Sequence, residues 1–303
     1  MSENGQDAHV NFEYPRSRTG VRLAVIADPH VSPTHSGTWK VLHRTEQRLA
    51  AALRAAERLA VDAVLMPGDL TRGGTPEEFD AVDTLVSATP LPVLAVPGNH
   101  DSSSLPVMDD HSRNWVAGPS ATPFRHTVGD VDVLGLNSVP AATGTDGGYV
   151  PDEQLQWLTD ALDSADRPVV LTHYPLGIDW TGLDTVFPPE TFHLANTSAV
   201  RGRLAGTGVL VVAGHVHWPV AERSADLREV VAPPTCSYPQ AICIVDITAG
   251  GTTVEIQTVS TDSDRQEALE HLRSDPVLDG TYVEMAERVG AVPDMWVRNV
   301  DVG

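Results

Sequence analysis

Lysine is almost missing from this 303-residue chain: Lys40 stands alone beside 19 arginines. It follows Trp39 rather than the glycine of a G-x-x-x-x-G-K-S/T loop, so there is no Walker-type phosphate loop and only one lysine for Schiff-base chemistry. Kinase and P-loop readings fall away. Cysteine is scarce too. Cys236 and Cys243 lie seven positions apart in a proline-containing stretch, neither a C-x-x-C pair nor a disulfide framework, and both read as reduced and structural. No run reaches the roughly 18 apolar residues that span a bilayer, and the opening MSENGQDAHV has no apolar signal segment. A soluble, cytoplasmic protein with no membrane partner is expected.

Positive charge is short overall, with 20 Lys plus Arg against 41 Asp plus Glu and a formal net charge of -21. Such a surface repels phosphate backbones and anionic membranes, which argues against a general nucleic-acid binder. Aspartate supplies 26 of the acids. An Asp-rich, Lys-poor surface stays solvated where salt screens its self-repulsion, so a halophilic, salt-rich cytoplasm is the expectation. Replacement of lysine by arginine in a GC-rich genome accounts for the missing lysine but not for the acidic excess. The 41% hydrophobic and 20% charged content is ordinary globular composition and excludes disorder throughout or collagen-like repeats.

Residues 1–20 are polar, with Gly5, Pro15 and Gly20, and read as a loose arm. The first apolar run is VRLAVIA at 21–27. Leu42, Leu49, Leu53, Ala56 and Ala60 recur at near-helical spacing and predict a helix over about 39–60, and DAVLM at 62–66 then reads as a buried strand. A shorter helix after Pro76, the strand PVLAV at 92–96 and a helix around 104–116 continue the alternation, as in a parallel sheet. FRHTVGD and VDVLGLN flank a Gly-Asp turn and predict an antiparallel hairpin over 123–137. Pro151 opens a helix to about 162. PVVLTH at 168–173 and GVLVVAGH at 208–215 are strands, and the long irregular stretch between them is a candidate wall of an active site. REVVA, AICIVDI and TTVEIQTV then give strands without helices, as in a second packed sheet. The tail beyond 261 is polar and helical, with Leu269, Leu272, Tyr282, Met285 and Trp296 expected to cap the domain rather than form a dimer contact or gate substrate. Three parts are expected: an arm at 1–20, a main domain at 21–260 and a helical tail at 261–303.

The buried strands end in metal-ligand residue types. Asp28 and His30 follow VRLAVIA, Gly68-Asp69 follows AVLM, Gly98-Asn99-His100-Asp101 follows VLAVP, His173 closes PVVLTH, and Gly214-His215-Val216-His217 closes VLVVA. Ligand sites in open α/β sheets lie beyond the carboxyl ends of strands, so these residues could meet. Carboxylate, amide and imidazole donors without thiolate select ions such as Mn, Fe or Zn rather than a structural Cys-zinc. Seven such groups exceed one tetrahedral ion. They fit two ions sharing a carboxylate, and ions roughly 3.5–4 Å apart are the usual device for in-line displacement at phosphorus.

In order, D-x-H (Asp28-Pro29-His30), G-D, G-N-H-D, a lone His and G-H-x-H resemble the motifs of the calcineurin-like metallophosphoesterases across about 21–217. The resemblance implies an α/β fold, a two-layer mixed β-sandwich flanked by helices (αββα). It implies that Asp28, His30 and His217 hold one metal, that Asn99, His173 and His215 hold the other, and that Asp69 bridges them. Two divalent or trivalent ions (Mn, Fe or Zn) would then be cofactors, and hydrolysis would proceed by in-line attack of a metal-bridging hydroxide. Asn99 and His100 would contact substrate, and His100 would protonate the leaving oxygen. The wording GDLT, PGNHD, GHVH and PPTCSYP is most similar to the cyclic-nucleotide phosphodiesterase subgroup, so the expected substrate is a small phosphodiester. Gly68-Asp69-Leu70-Thr71-Arg72-Gly73-Gly74 lacks the second Asp of the protein-phosphatase pattern G-D-x-x-D-R-G and places Arg72 differently.

Any one such His or Asp is more often structural than a ligand. The ordered set outweighs that reading, because five of the twelve histidines fall inside motifs at strand ends. His193, near Trp180 and Phe192 in the 174–197 stretch, is a weaker candidate for a substrate cleft; ordinary loop packing is the stronger reading for it. A phosphomonoesterase, a nuclease of the same superfamily and a non-catalytic metal-bound scaffold are the alternatives. His100 argues against the scaffold, which needs no catalytic histidine.

Overall fold

The computed structural model describes residues 4–7, 9–101, 115–139, 147–176, 192–224, 227–278, 280–290 and 295–299. The helix expected around 104–116 lies almost wholly outside them, as does Trp180. The polar opening is not a loose arm: it supplies two edge strands, β1 (Asn4–Asp7) and β2 (His9–Phe12). Then follow β3 (Val21–Val25), α1 (Thr45–Arg58), β4 (Ala63–Met66), α2 (Pro76–Ser87) and β5 (Val93–Ala95). The hairpin is β6 (Phe124–Val128) with β7 (Val131–Gly135), and α3 (Asp152–Ser164), β8 (Val169–Leu171), α4 (Thr197–Leu204) and β9 (Leu210–Ala213) come next. The chain closes with β10 (Val220–Arg223), β11 (Arg228–Val231), β12 (Ala241–Thr248), β13 (Gly251–Thr258), α5 (Asp262–Ser274), α6 (Gly280–Gly290) and β14 (Met295–Asn299).

These strands form two sheets. One has the order β1-β14-β10-β11-β9-β8-β7-β6 and the other β2-β13-β12-β3-β4-β5. The late strands do not make a sheet of their own, as their sequence suggested. β12 and β13 extend the β3 sheet antiparallel, whereas β11 joins β9 in parallel. The C-terminal tail is helical as expected, but it also returns a strand, β14, to the larger sheet.

Period-2 alternation explains why the central strands read as unbroken apolar runs. Leu23 and Val25 of β3 point into the core between the sheets while Ala24 and the adjoining Ile26 face α1 and α2. In the other sheet, Val169 and Leu171 point into the same inter-sheet core, and Val170 packs in the cluster formed with α3 and α4. Both sheet faces are therefore buried, giving four layers with helices outside. Helix α2 begins where its sequence dictates, with Pro76 in the first turn and a reciprocal Thr75–Glu78 capping box. Helix α1 starts later than its apolar spacing suggested. Thr38 and Val41 have left-handed backbone (φ 58° and 49°), and one 3-10 turn, Leu42–Arg44, precedes it.

Candidate metal centre

β3, β4 and β5 run parallel in one sheet, as do β7, β8, β9 and β11 in the other. Loops leaving the carboxyl ends of β3, β4, β5, β8 and β9 bring Asp28, His30, Asp69, Asn99, His100, His173, His215 and His217 into one cluster. His30 Nε2 lies 3.2 Å from His217 Nε2 and 3.3 Å from Asp69 Oδ2. His217 Nε2 is 3.6 Å from Asp28 Oδ1. On the other side of Asp69, its Oδ1 lies 3.4 Å from His173 Nε2, which is 3.2 Å from His215 Nδ1 and 2.9 Å from Asn99 Oδ1. Asp28, His30, Asp69 and His217 form one group of donor atoms all within 4.8 Å of one another, and Asp69, His173 and His215 form a second. Asp69 belongs to both.

The backbone is bent to do this. Asp28, His30, Asp69, His215 and His217 all have φ between 43° and 74°, a region non-glycine residues enter at a cost of about 1–3 kcal/mol each. Five such residues at one site are held by the surrounding packing. His30 N–H donates to the Asp69 carbonyl and His215 N–H to Asp28 Oδ1. Gly68 must be glycine: at φ 90°, a Cβ there would stand 2.7 Å from both Gly98 N and His173 Nδ1.

The donor set suits a cation. His30 and His217 are buried, and burial pushes their imidazoles well below the ordinary value, with Lys40 adding to it, so both are neutral with lone pairs to give. Burial alone would raise Asp69, but His173, His100 and Lys40 outweigh it and hold its carboxyl below the usual range. Asp28 is pushed up, by burial first and then by Asp69. His173 Nδ1 donates to the Pro67 carbonyl at 2.7 Å, which leaves Nε2 as a bare acceptor facing the Asp69 carboxylate. On this side of Asp69 acceptor faces acceptor. A positive ion between them resolves that repulsion, and with the neutral imidazoles of His30 and His217 beside the carboxylates the residues present fit metals.

His100 stands at the rim of this cluster. Its N–H donates to Asp69 Oδ1 at 2.9 Å, and its Nδ1 donates to the Arg72 carbonyl at 2.6 Å, which turns Nε2 toward the cavity. That cavity, about 190 Å³, is lined by Asp69, Asn99, His100, His215 and His217 together with Trp39, Lys40, Phe192 and, from the C-terminal tail, Val277, Leu278 and Tyr282. The tail both caps and lines: Leu272 and Tyr282 are buried in one cluster with Trp218. From the 174–197 stretch, Phe192 reaches the cavity, its ring 5.5 Å from that of His215, whereas His193 is not among the lining residues and its carbonyl accepts from Gly148 N–H.

Four supporting residues carried weaker sequence signals. Asp101 is buried, accepts from the N–H groups of Leu70, Thr71 and Gly98, and so ties the Gly-Asp loop to the Gly-Asn-His loop; burial and Asp69 push its carboxyl up to about 7. Ser237, in PPTCSYP, places its hydroxyl 3.0 Å from His217 Nδ1. Ser138 accepts from the N–H groups of His173 and Tyr174. Lys40 enters the site, with Nζ 3.2 Å from His100 Nε2 and 3.4 Å from His30 Nδ1; its solitude in the composition was the signal.

The calcineurin-like phosphoesterase family model matches residues 21–219. A 3',5'-cyclic-nucleotide phosphodiesterase of Nostoc sp. is 27% identical over 71% of this chain and 79% of its own length. The 3',5'-cyclic adenosine monophosphate phosphodiesterase of Pseudomonas aeruginosa is 26% identical over 73% of this chain and 79% of its own. Among solved structures, a dimetal phosphatase from Danio rerio superposes with a TM-score of 0.62 at 16% identity, covering 79% of this chain and 99% of that one. No helix among the described residues is long and apolar enough to cross a membrane.

Proposed function

The chain belongs to the calcineurin-like phosphoesterases, and from that premise we propose that it is a two-metal phosphodiesterase acting on a small phosphodiester such as a cyclic nucleotide. The observation that carries the proposal is the division of Asp69: one oxygen faces His30 and the other faces His173, at the boundary of two donor groups. In this reading Asp28, His30 and His217 would hold one ion, Asn99, His173 and His215 would hold the other, and Asp69 would serve both. When bound, the two ions supply positive charge for the phosphoryl oxygens and make water more acidic. The relatives named as phosphodiesterases support the choice of a diester.

The chain's own residues supply the rest. Asn99 and His100 contact the phosphoryl group and its leaving oxygen. Hydrolysis joins the oxygen of water to phosphorus and breaks the ester P–O bond, whose electron pair goes to the leaving oxygen. That oxygen needs a proton. Because His100 Nδ1 keeps its proton on the Arg72 carbonyl, the imidazolium form would deliver its second proton from Nε2 and return to the neutral ring. Phe192, Trp39 and Tyr282 give the cavity aromatic walls. The test is turnover of bis-p-nitrophenyl phosphate, p-nitrophenyl phosphate and 3',5'-cyclic AMP by metal-stripped protein re-supplied with Mn²⁺ in high salt. A metal-dependent preference for diesters is expected; a preference for the monoester would make the protein a phosphatase instead.

A further inference from the structure

A second cavity, of about 260 Å³, adjoins the first and shares Trp39, Lys40, His100 and Val277 with it. Arg72 lines it as well. In a chain with 20 basic residues against 41 acids, the sole lysine and an arginine thus flank the histidine that faces the leaving oxygen. Neither makes an ion pair within 4 Å among the described residues. The acid in the same wall, Asp275, is already engaged: its two oxygens accept from Trp39 N–H at 2.8 Å and Val277 N–H at 2.9 Å.

The turn that presents Lys40 is built at a cost. Thr38 and Val41 on either side are left-handed, Val41 is buried, and Trp39 is wedged 4.8 Å from the ring of His217 and 5.8 Å from that of Tyr282. Strain and packing hold a cation at the mouth of a metal-ligand cluster, where a positive charge alone would be repelled by bound metal. The nitrogen neighbours of Lys40, His100 Nε2 at 3.2 Å and His30 Nδ1 at 3.4 Å, bring no negative charge, and Lys40 lines both cavities.

We infer that this second cavity is an anion subsite, in which Lys40 and Arg72 hold a carboxylate or phosphate carried by the leaving group of the ester. The inference rests on the phosphodiesterase reading and narrows its substrate class: diesters whose departing half bears its own negative charge. Arg72 suits the role because its planar fork matches either anion.

The test uses three methyl aryl phosphodiesters whose 4-nitrophenol leaving groups carry hydrogen, carboxylate or phosphonate at position 3. They are compared at one salt concentration on the metal-loaded protein and on Lys40→Met, Lys40→Arg and Arg72→Ala. Wild type is expected to favour a charged ester by about tenfold or more in kcat/KM. That ratio should fall to about two in Lys40→Met and Arg72→Ala and recover in Lys40→Arg, and the larger of the carboxylate and phosphonate ratios identifies the anion. Arg72 is exposed, so its variant keeps the test alive should Lys40→Met fail to fold. Calorimetric titration with the freed phenol, 5-hydroxy-2-nitrobenzoate, gives a readout that needs no turnover and should bind wild type more tightly than either variant. Equal ratios and equal binding in wild type and variants would overturn the subsite. Hydrolysis of none of the esters, with tighter phenol binding by wild type, would leave the subsite standing and remove the phosphodiesterase reading.

Discussion

Asp69 and His100 were legible as residues because each sits in a short motif at the end of an apolar run, where donor chemistry is out of place in a core. Ser237 and Asp101 were not assigned roles, since each acts by holding another group, and a hydroxyl or a carboxylate in that role looks like any other. Their effects are nonetheless measurable. Ser237→Ala frees the His217 ring to turn, and metal affinity should fall about 10–100-fold in a chelator competition while thermal stability changes little; unchanged affinity would mean the hydroxyl does not orient the ring. His100→Ala separates two roles. If Nε2 protonates the leaving oxygen, alkoxide esters should slow by about 10²-fold or more while nitrophenolate esters, whose leaving group departs unprotonated, slow far less. Equal slowing of both would exclude the acid role.

Elements were readable wherever burial imposes a period. Strands β3, β4, β8 and β9 are dominated by buried apolar residues, so their positions followed from the runs, and the strand–helix alternation predicted the parallel pairing of β3 with β4. Edge strands carry no such signal. β1 is polar and β2 has only Val10 and Phe12 to bury over four residues, and each pairs only on one side, so composition did not distinguish them from a loose arm. The late start of α1 depends on left-handed backbone at Thr38 and Val41, which these residue types do not announce. Nor could the strands after 219 be assigned to sheets, because pairing partners are set by long-range contacts rather than by local pattern. One such partner has a thermodynamic signature. Glu229 of β11 is buried, accepts from Leu176 N–H at 2.7 Å, and is pushed from 4.5 up to about 8 by burial, with Glu222 adding to it. Between those values the folded chain keeps a proton that the unfolded chain has released, so its contribution is full below about pH 4.5 and is lost as pH rises to about 8. Glu229→Gln should flatten the pH dependence of stability across that window by about 4 kcal/mol, measured by denaturant unfolding at pH 5 and pH 8.5. A slope identical to wild type would place the titration elsewhere.

For the whole molecule, a net charge of -21 on 303 residues means that the folded state gathers mutual repulsion the unfolded chain relaxes. Salt screens it over roughly 8–10 Å at physiological strength and over about 3 Å at 1 M. The melting temperature should therefore climb steeply between low salt and molar KCl, with unfolding at the low end; a melting curve indifferent to salt would sink the halophilic reading. The central claim is that Asp69 joins two metal sites that together hydrolyse a phosphodiester. It is tested most directly by measuring metal content by mass spectrometry and turnover of bis-p-nitrophenyl phosphate on the same preparations of wild type and Asp69→Asn. The account predicts two ions per wild-type chain, loss of at least one in the variant, and a fall in turnover of about 10³-fold or more. Full metal content with wild-type turnover in Asp69→Asn would contradict it.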